Sequence, residues 1–338
     1  MNGRTIIVHS VAVDISPLDE RLGLTTGSMS NGMAREVVWL SGQLAYEAVS
    51  EVLKRVGGYE VPSSTVWEVC QRRGERLLAV VEKQHAQVDI ERVRWEQARY
   101  APEARKAVSM DGGMVLVRDE GWKELKVGVV ANLVAPHTLD PARADERLHD
   151  DLHYTATLGG VAEFSSALWD LAVQHDVPYA GQVAVTADGA AWIWGIAADL
   201  FPQSTQIVDW FHAAQHIDQA VQARFPDDTQ AFDAKRWRDT LKTDLFQGQC
   251  WKVIDALHAA HLPDAAAYFH SHRHRMQYPV FRAAAFPIGS GSTESAVKQF
   301  KHRLCGPGMR WSRPGVQRMA VIRSAVLDAS FDTLWEAA

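Results

Sequence analysis

The run Ala107-Val108-Ser109-Met110-Asp111-Gly112-Gly113-Met114-Val115-Leu116-Val117 decides how the chain folds. Apolar and β-favouring side chains flank an acid and two glycines, which predicts a buried strand interrupted at Gly112-Gly113. A carboxylate in such a run is costly to bury without a partner. Glycines beside it let another chain or a ligand approach closely. Working outward, Leu125–Val134 reads as a second strand and His153–Leu158 as a third. Val161–Gln174 reads as a helix, with Phe164, Leu168 and Leu171 at helical spacing. Val183–Thr186 and Gln206–Val208 read as a fourth and a fifth strand, ending at Asp188 and Asp209. Strands followed by helices predict an α/β core with a mixed sheet.

On either side of this core the texture is helical. Residues 1–30 are irregular, with a short β-like run at Thr5–Val13. Residues 31–100 predict a helical region. One helix carries Val37, Val38, Leu40, Leu44, Val49, Val52, Leu53 and Val56 and stops at Gly57-Gly58. A second begins at Pro62-Ser63-Ser64-Thr65, where Thr65 and Glu68 have capping-box spacing. Helix, turn and capped helix suits a helix-turn-helix DNA reader with Arg72, Arg73 and Arg76 on its second helix, and equally a plain helical hairpin. Residues 105–210 hold the α/β core. Residues 211–285 form a strandless helical block, which reads as an insertion. Residues 286–330 hold a Gly-rich approach, a helix with Glu294 and a basic end.

With 338 residues, 47% apolar and 22% charged, the chain has an ordinary globular composition, which excludes disordered and low-complexity classes. No apolar run approaches the roughly 18 residues of a membrane span. The start MNGRTIIVHS has no signal-peptide pattern. Cys70, Cys250 and Cys305 are far apart with no CxxC pair, which argues against a disulfide framework or zinc site and for a reducing cytoplasm. The net charge of -6 hides an asymmetry. Residues 271–325 hold ten bases and one acid, Glu294, so that segment carries +9 and the rest −15. A basic segment of this kind is a mark of an anionic partner.

Three acids stand out by context. Asp111 lies within the first strand, Asp188 follows Val183–Thr186 just before a glycine, and Glu294 opens a helix among bases. Acids at strand ends and a helix start can converge on one edge of an α/β sheet, where ligand sites form. Oxygen donors of this kind suit hard cations such as Mg²⁺, and two such ions about 3.5–4 Å apart can serve phosphoryl transfer.

The strings AVSMDGG (107–113), WKELKVGVV (122–130), VTADGAAWIW (185–194), FPQSTQIVDWFHAAQHI (201–217), PIGSGSTESAVKQFKHR (287–303) and GMRWSRPG (308–315) resemble the ISKra family of insertion-sequence DDE transposases. The resemblance runs from about Pro17 to Arg323. It implies an RNase H-like catalytic domain with a helical insertion between the fifth strand and the glutamate-bearing helix. It also implies Asp111, Asp188 and Glu294 as catalytic metal ligands for two Mg²⁺ ions, with Mn²⁺ as a substitute. Asp209-Trp210-Phe211-His212 matches the family's D-x-x-H signature, giving His212 a catalytic and Asp209 an auxiliary role; a helix-starting Asp and a packed His read the same residues structurally. Members often carry a cysteine-rich zinc-binding segment ahead of the equivalent of Pro17. Val8–Ile15 holds no cysteine, so the expectation is either a member lacking that module or a copy truncated at its start.

Lys298 and Lys301 share a helix face with Glu294 and are expected to grip DNA phosphates; a surface Glu294–Lys298 pair is the plain alternative. Arg303, Arg310 and Trp311 join the expected DNA contacts, with Trp311 either stacking on an unpaired base or packed in the core. His212 and His216 have i, i+4 spacing, but no third zinc ligand accompanies them. The expected function is metal-dependent nicking of element ends and transfer of the 3′-OH into target DNA. Such a protein would work in a bacterial cytoplasm at the nucleoid, as a homo-oligomer on DNA and without a membrane partner. The alternative is a truncated or domesticated relic that binds DNA without catalysis. A glycosidase would also use paired carboxylates, but it leaves the basic segment unexplained.

Overall fold

The computed structural model describes residues 29–85, 99–134, 149–227 and 230–338. The chain divides into two compact units, Met1–Arg76 and Leu77–Ala338. The boundary falls inside a helix rather than near residue 100, where the sequence pattern placed it. The expected β-like run at Thr5–Val13 lies outside the described residues.

In the first unit, α1 (Asn31–Ser41) starts at Ser30, whose hydroxyl accepts the Met33 N–H at 3.2 Å. A turn at Gly42 separates it from α2 (Tyr46–Gly57). The single helix expected from Val37 to Val56 is therefore two, because the apolar period continues across a break it does not encode. Gly58 closes α2 in the left-handed region at φ 69°, as its position after a Gly-Gly stop predicts. Next comes α3 (Ser63–His85), which begins two residues before Thr65, so the Thr65–Glu68 capping box does not set its start. Val37, Val38, Val49 and Val66 form the unit's apolar centre.

The second unit is α/β. Its sheet holds β1 (Ala101–Val117), β2 (Gly121–Leu133), β3 (His149–Thr157), β4 (Ala180–Ala187) and β5 (Thr205–Val208), in the order β3-β2-β1-β4-β5. The β1/β2 and β2/β3 pairs are antiparallel, while β1/β4 and β4/β5 are parallel. Contrary to the expected interruption, β1 runs unbroken through Gly112 and Gly113, which face Lys126 and Leu125 of β2. A strand ladder is built from backbone groups, and glycine keeps both of them.

Between the third and fifth strands lie α4 (Val161–Gln174) and α5 (Ala191–Leu200). After β5 the chain is helical through α6 (Trp210–Arg224), α7 (Ala231–Phe246), α8 (Cys250–Ala259), α9 (Pro263–His272) and α10 (Tyr278–Ala283). One hydrophobic core joins the sheet (Val108, Ile207) to this block (Leu245, Phe269). The chain then returns to the sheet in α11 (Gly291–Leu304), which carries Glu294, and ends in α12 (Arg313–Leu327) and α13 (Phe331–Ala337). Among the described residues no helix is long and apolar enough to cross a membrane.

Candidate active site

The β1/β4 register brings the two aspartates level. Val108 pairs with Val185 and Ser109 with Thr186, the last pair of that ladder, so Asp111 and Asp188 each lie two residues beyond it. Side chains two apart on a strand share a face, and neighbouring strands lie about 4.8 Å apart. Asp111, within β1, and Asp188, directly after β4, therefore emerge near each other at that end of the sheet, and both are half-buried. Asp111 Oδ1 accepts the Gly112 N–H at 2.6 Å, and Asp188 Oδ1 accepts the Ala190 N–H at 2.9 Å.

Contacts along that face carry Glu294 to it. Thr186 donates to the Pro287 carbonyl at 3.1 Å, and the buried Thr293 hydroxyl donates to Ser109. Gly113 lets α11 lie close: a Cβ placed there would sit 2.9 Å from Val297 Cγ1 and 3.5 Å from Lys301 Cδ. The close approach expected at the glycine pair is thus made by this chain's own helix. A second anchor is Asp209, which is fully buried. Its Oδ1 accepts the His212 N–H at 2.9 Å, capping α6, and its Oδ2 accepts the Ser290 hydroxyl at 2.7 Å as well as the Ser290 N–H. Asp209 therefore ties the start of α6 to the loop that feeds the Glu294 helix. Its hydrogen bond to His212 is to the backbone.

Electrically, the three acids are close enough to be felt. Burial raises the Asp111 pKa above the usual carboxylate range, the Gly112 N–H opposes this, and the charges of Asp188 and Glu294 add to it. His212 acts in the opposite direction, so its ring is part of the same cluster. Among the described residues Glu294 pairs with Lys298, at 3.6 Å and largely exposed, a pair that holds little energy. A cluster of like charges with so little compensation favours a cation. Among the described residues no three His, Cys, Asp or Glu side chains are grouped closely enough to ligate one metal ion. A hard divalent cation does not require that. Mg²⁺ keeps several waters and is bound through one or two carboxylates plus substrate phosphates. The donor chemistry fits such an ion held by pairs of these carboxylates, and it does not fit a protein-caged zinc at His212 and His216.

A side chain the sequence reading passed over borders the cluster. Tyr268 of α9 stacks on His216 with ring centroids 3.7 Å apart, and a Cβ on Gly189 would lie 3.2 Å from its hydroxyl. The one hint in sequence is the i, i+4 spacing of Tyr268 and His272, whose rings are 4.9 Å apart.

The expected DNA-contact residues divide. Lys298, Lys301 and Arg310 are exposed, as is Arg72, while Arg73 is half-buried. Arg303 is not a surface group. It is 2% exposed, with its guanidinium over the Trp311 ring at 5.1 Å. Trp311 is buried as well, and its indole N–H donates to the Leu304 carbonyl at 2.8 Å. The expected DNA roles of Arg303 and Trp311 are therefore corrected: each packs against the other inside the fold. Other bases of the +9 segment are also engaged internally. Arg275 lies over Trp194 at 4.4 Å, Arg313 binds Glu120 at 2.5 Å, and Arg323 is buried. The chain matches no protein-family model and no curated protein.

Proposed function

We propose that the chain is a DNA transposase of the DDE type, with an RNase H-like catalytic unit whose helical insertion is α6–α10. The observation that carries this reading is the convergence of three carboxylates from three separate elements on one sheet face. Asp111 lies in β1, Asp188 directly follows its parallel neighbour β4, and Glu294 arrives on a helix latched there by Thr293 and Asp209. The strand order, with an antiparallel β1–β2–β3 meander followed by parallel β4 and β5, agrees with that core.

In this reading Asp111, Asp188 and Glu294 hold two Mg²⁺ ions, or Mn²⁺ in their place. The ions would supply activation of a water and then of the freed 3′-OH, together with charge stabilisation at the phosphate. The chain's own residues orient and bind. His212, half-buried beside the acids, is placed to donate to a phosphate oxygen. Lys298 and Lys301, exposed on the Glu294 face, take the flanking phosphates, and Arg310 extends that surface. The helices of the first unit, with Arg72 and Arg73, would bind element ends, and the protein would act on DNA as a homo-oligomer.

The test is nicking and strand transfer on DNA carrying the element's ends, with Mg²⁺. The expected result is activity that Asp188→Ala and Glu294→Ala each abolish. Wild-type activity in either variant would refute the triad. Salt-dependent binding with no cleavage under any metal would favour the relic reading.

A further inference from the structure

The helical block between β5 and α11 reaches back to the end of β4 through the Tyr268 side chain. The Tyr268 hydroxyl is sealed from solvent and, among the described residues, has no hydrogen-bond partner. A buried donor left unsatisfied is unfavourable, so its retention calls for an explanation. The hydroxyl borders the residue after Asp188, since a Cβ on Gly189 would lie 3.2 Å from it, and Asp209 is the other carboxylate nearby. Asp209 has no capacity to spare, since Oδ1 takes the His212 N–H and Oδ2 takes both Ser290 donors. Asp188 is different. Its Oδ1 takes the Ala190 N–H, and among the described residues no donor meets its Oδ2. A donor without an acceptor and an acceptor without a donor therefore adjoin at Asp188-Gly189. The ring is held in place from two sides, by His216 at 3.7 Å and His272 at 4.9 Å, and His272 in turn lies 3.3 Å from Arg275.

We infer that Tyr268 is a positioning residue for Asp188: its hydroxyl, which closes no hydrogen bond here, would donate to the Asp188 carboxylate and hold it in the orientation that takes a divalent cation. The inference rests on the metal-triad reading. Carboxylates that bind metals are themselves commonly fixed by hydrogen bonds from a surrounding layer, and loss of such a bond weakens metal binding about 10- to 100-fold. It also gives the helical block a task at the site: α9 supplies the donor, and α6 supplies both His212 and the ring that braces it.

The experiment measures Mn²⁺ binding to the full chain, without DNA, from the paramagnetic resonance of free Mn²⁺. Thermal unfolding in chelator is recorded alongside. Tyr268→Phe keeps the ring and its stacking and deletes only the hydroxyl. The expected result is Mn²⁺ binding weakened about tenfold, with an unfolding temperature equal to or above that of the wild type. Asp188→Ala is expected to bind Mn²⁺ far more weakly still. If Tyr268→Phe binds Mn²⁺ like wild type while Asp188→Ala does not, the inference falls and the triad reading stands. Unchanged Mn²⁺ affinity with a lowered unfolding temperature would make Tyr268 a packing residue and also overturn it. If Asp188→Ala binds like wild type, or wild type binds no Mn²⁺, the triad reading itself fails and takes the inference with it.

Discussion

Asp188 and Asp209 look alike in sequence: each follows a short apolar strand and precedes a helix. The strands are parallel neighbours, β4 and β5, and the Asp209 N–H donates to the carbonyl of Ala187, the residue before Asp188. In the fold they are opposites. Asp209 is fully buried, and its carboxylate accepts three hydrogen bonds that fasten α6 to the loop before α11. Asp188 is half-buried, makes one local hydrogen bond among the described residues and lies close enough to Asp111 for its charge to act there. A strand-end acid thus becomes part of a scaffold or of a reactive centre according to how many donors the rest of the chain brings to it. The first kind raises stability. The second is left with capacity for a cation at a cost to stability.

The sharpest way to break this contrast is to delete each carboxylate in turn. Asp188→Ala is expected to lower nicking by on the order of a thousandfold or more, the several kcal/mol that a metal site contributes. Its unfolding temperature in chelator should stay level or rise, because a repelling charge has been removed. Asp209→Ala should leave the Ser290 and His212 donors buried and unmatched, costing about 3 kcal/mol or more. For a unit of this size that is a fall of roughly 6–12 °C. Calorimetry and nicking assays on both variants give the answer. If Asp209→Ala melts like wild type, the scaffold role is wrong; if Asp188→Ala melts much lower, the division between the two acids is wrong.

How much of this was legible depended on whether the signal is local. The helix Val161–Gln174 was readable to the residue because its stripe and its ends lie in one stretch. The five strands were readable too, through their apolar runs. Gly112-Gly113 misled, since side-chain patterning says nothing about backbone pairing, and Leu44 carried a helical period through a turn. Within the site, the three acids were legible as exceptions to their surroundings. The Asp209 latch and the Tyr268 contact were not, because each joins segments that are far apart in sequence. The same limit produced the error at Arg303: counting charge cannot show that a guanidinium turns inward onto an indole eight residues later.

That error sets up a second, smaller contrast within the basic segment. Lys301 and Arg310 are exposed and Arg303 is not. Lys301→Ala and Arg310→Ala should each reduce the slope of log affinity against log salt by about 1, the loss of one phosphate contact, with little change in melting. Arg303→Met should leave the salt slope alone and change the unfolding temperature. Titrations at several salt concentrations distinguish these outcomes. An equal loss of slope in all three variants would show that Arg303 reaches DNA after all.

The gentlest test concerns a third acid, Asp170, that lies between the two extremes. Asp170 of α4 is buried like Asp209 but, among the described residues, has only the Gln174 amide at 2.7 Å and the His85 ring at 3.5 Å, and burial pushes its pKa up to about 6. A raised carboxyl pKa means the folded state holds a proton the unfolded chain has lost, so this group removes stability as pH rises from about 4 to about 6. His175, just past the end of α4 and stacked on His153 at 3.4 Å, has the opposite sign. Burial and then the His153 charge lower its pKa to about 4, so it removes stability as pH falls from about 6.5 to about 4. The two slopes oppose each other over one window. Asp170→Asn should therefore make the unfolding temperature drop more steeply on acidification between pH 6 and 4 than it does in wild type. His175→Gln should instead make that drop shallower. Parallel profiles for the two variants would mean that Asp170 is compensated as fully as Asp209, by donors beyond Gln174 and His85.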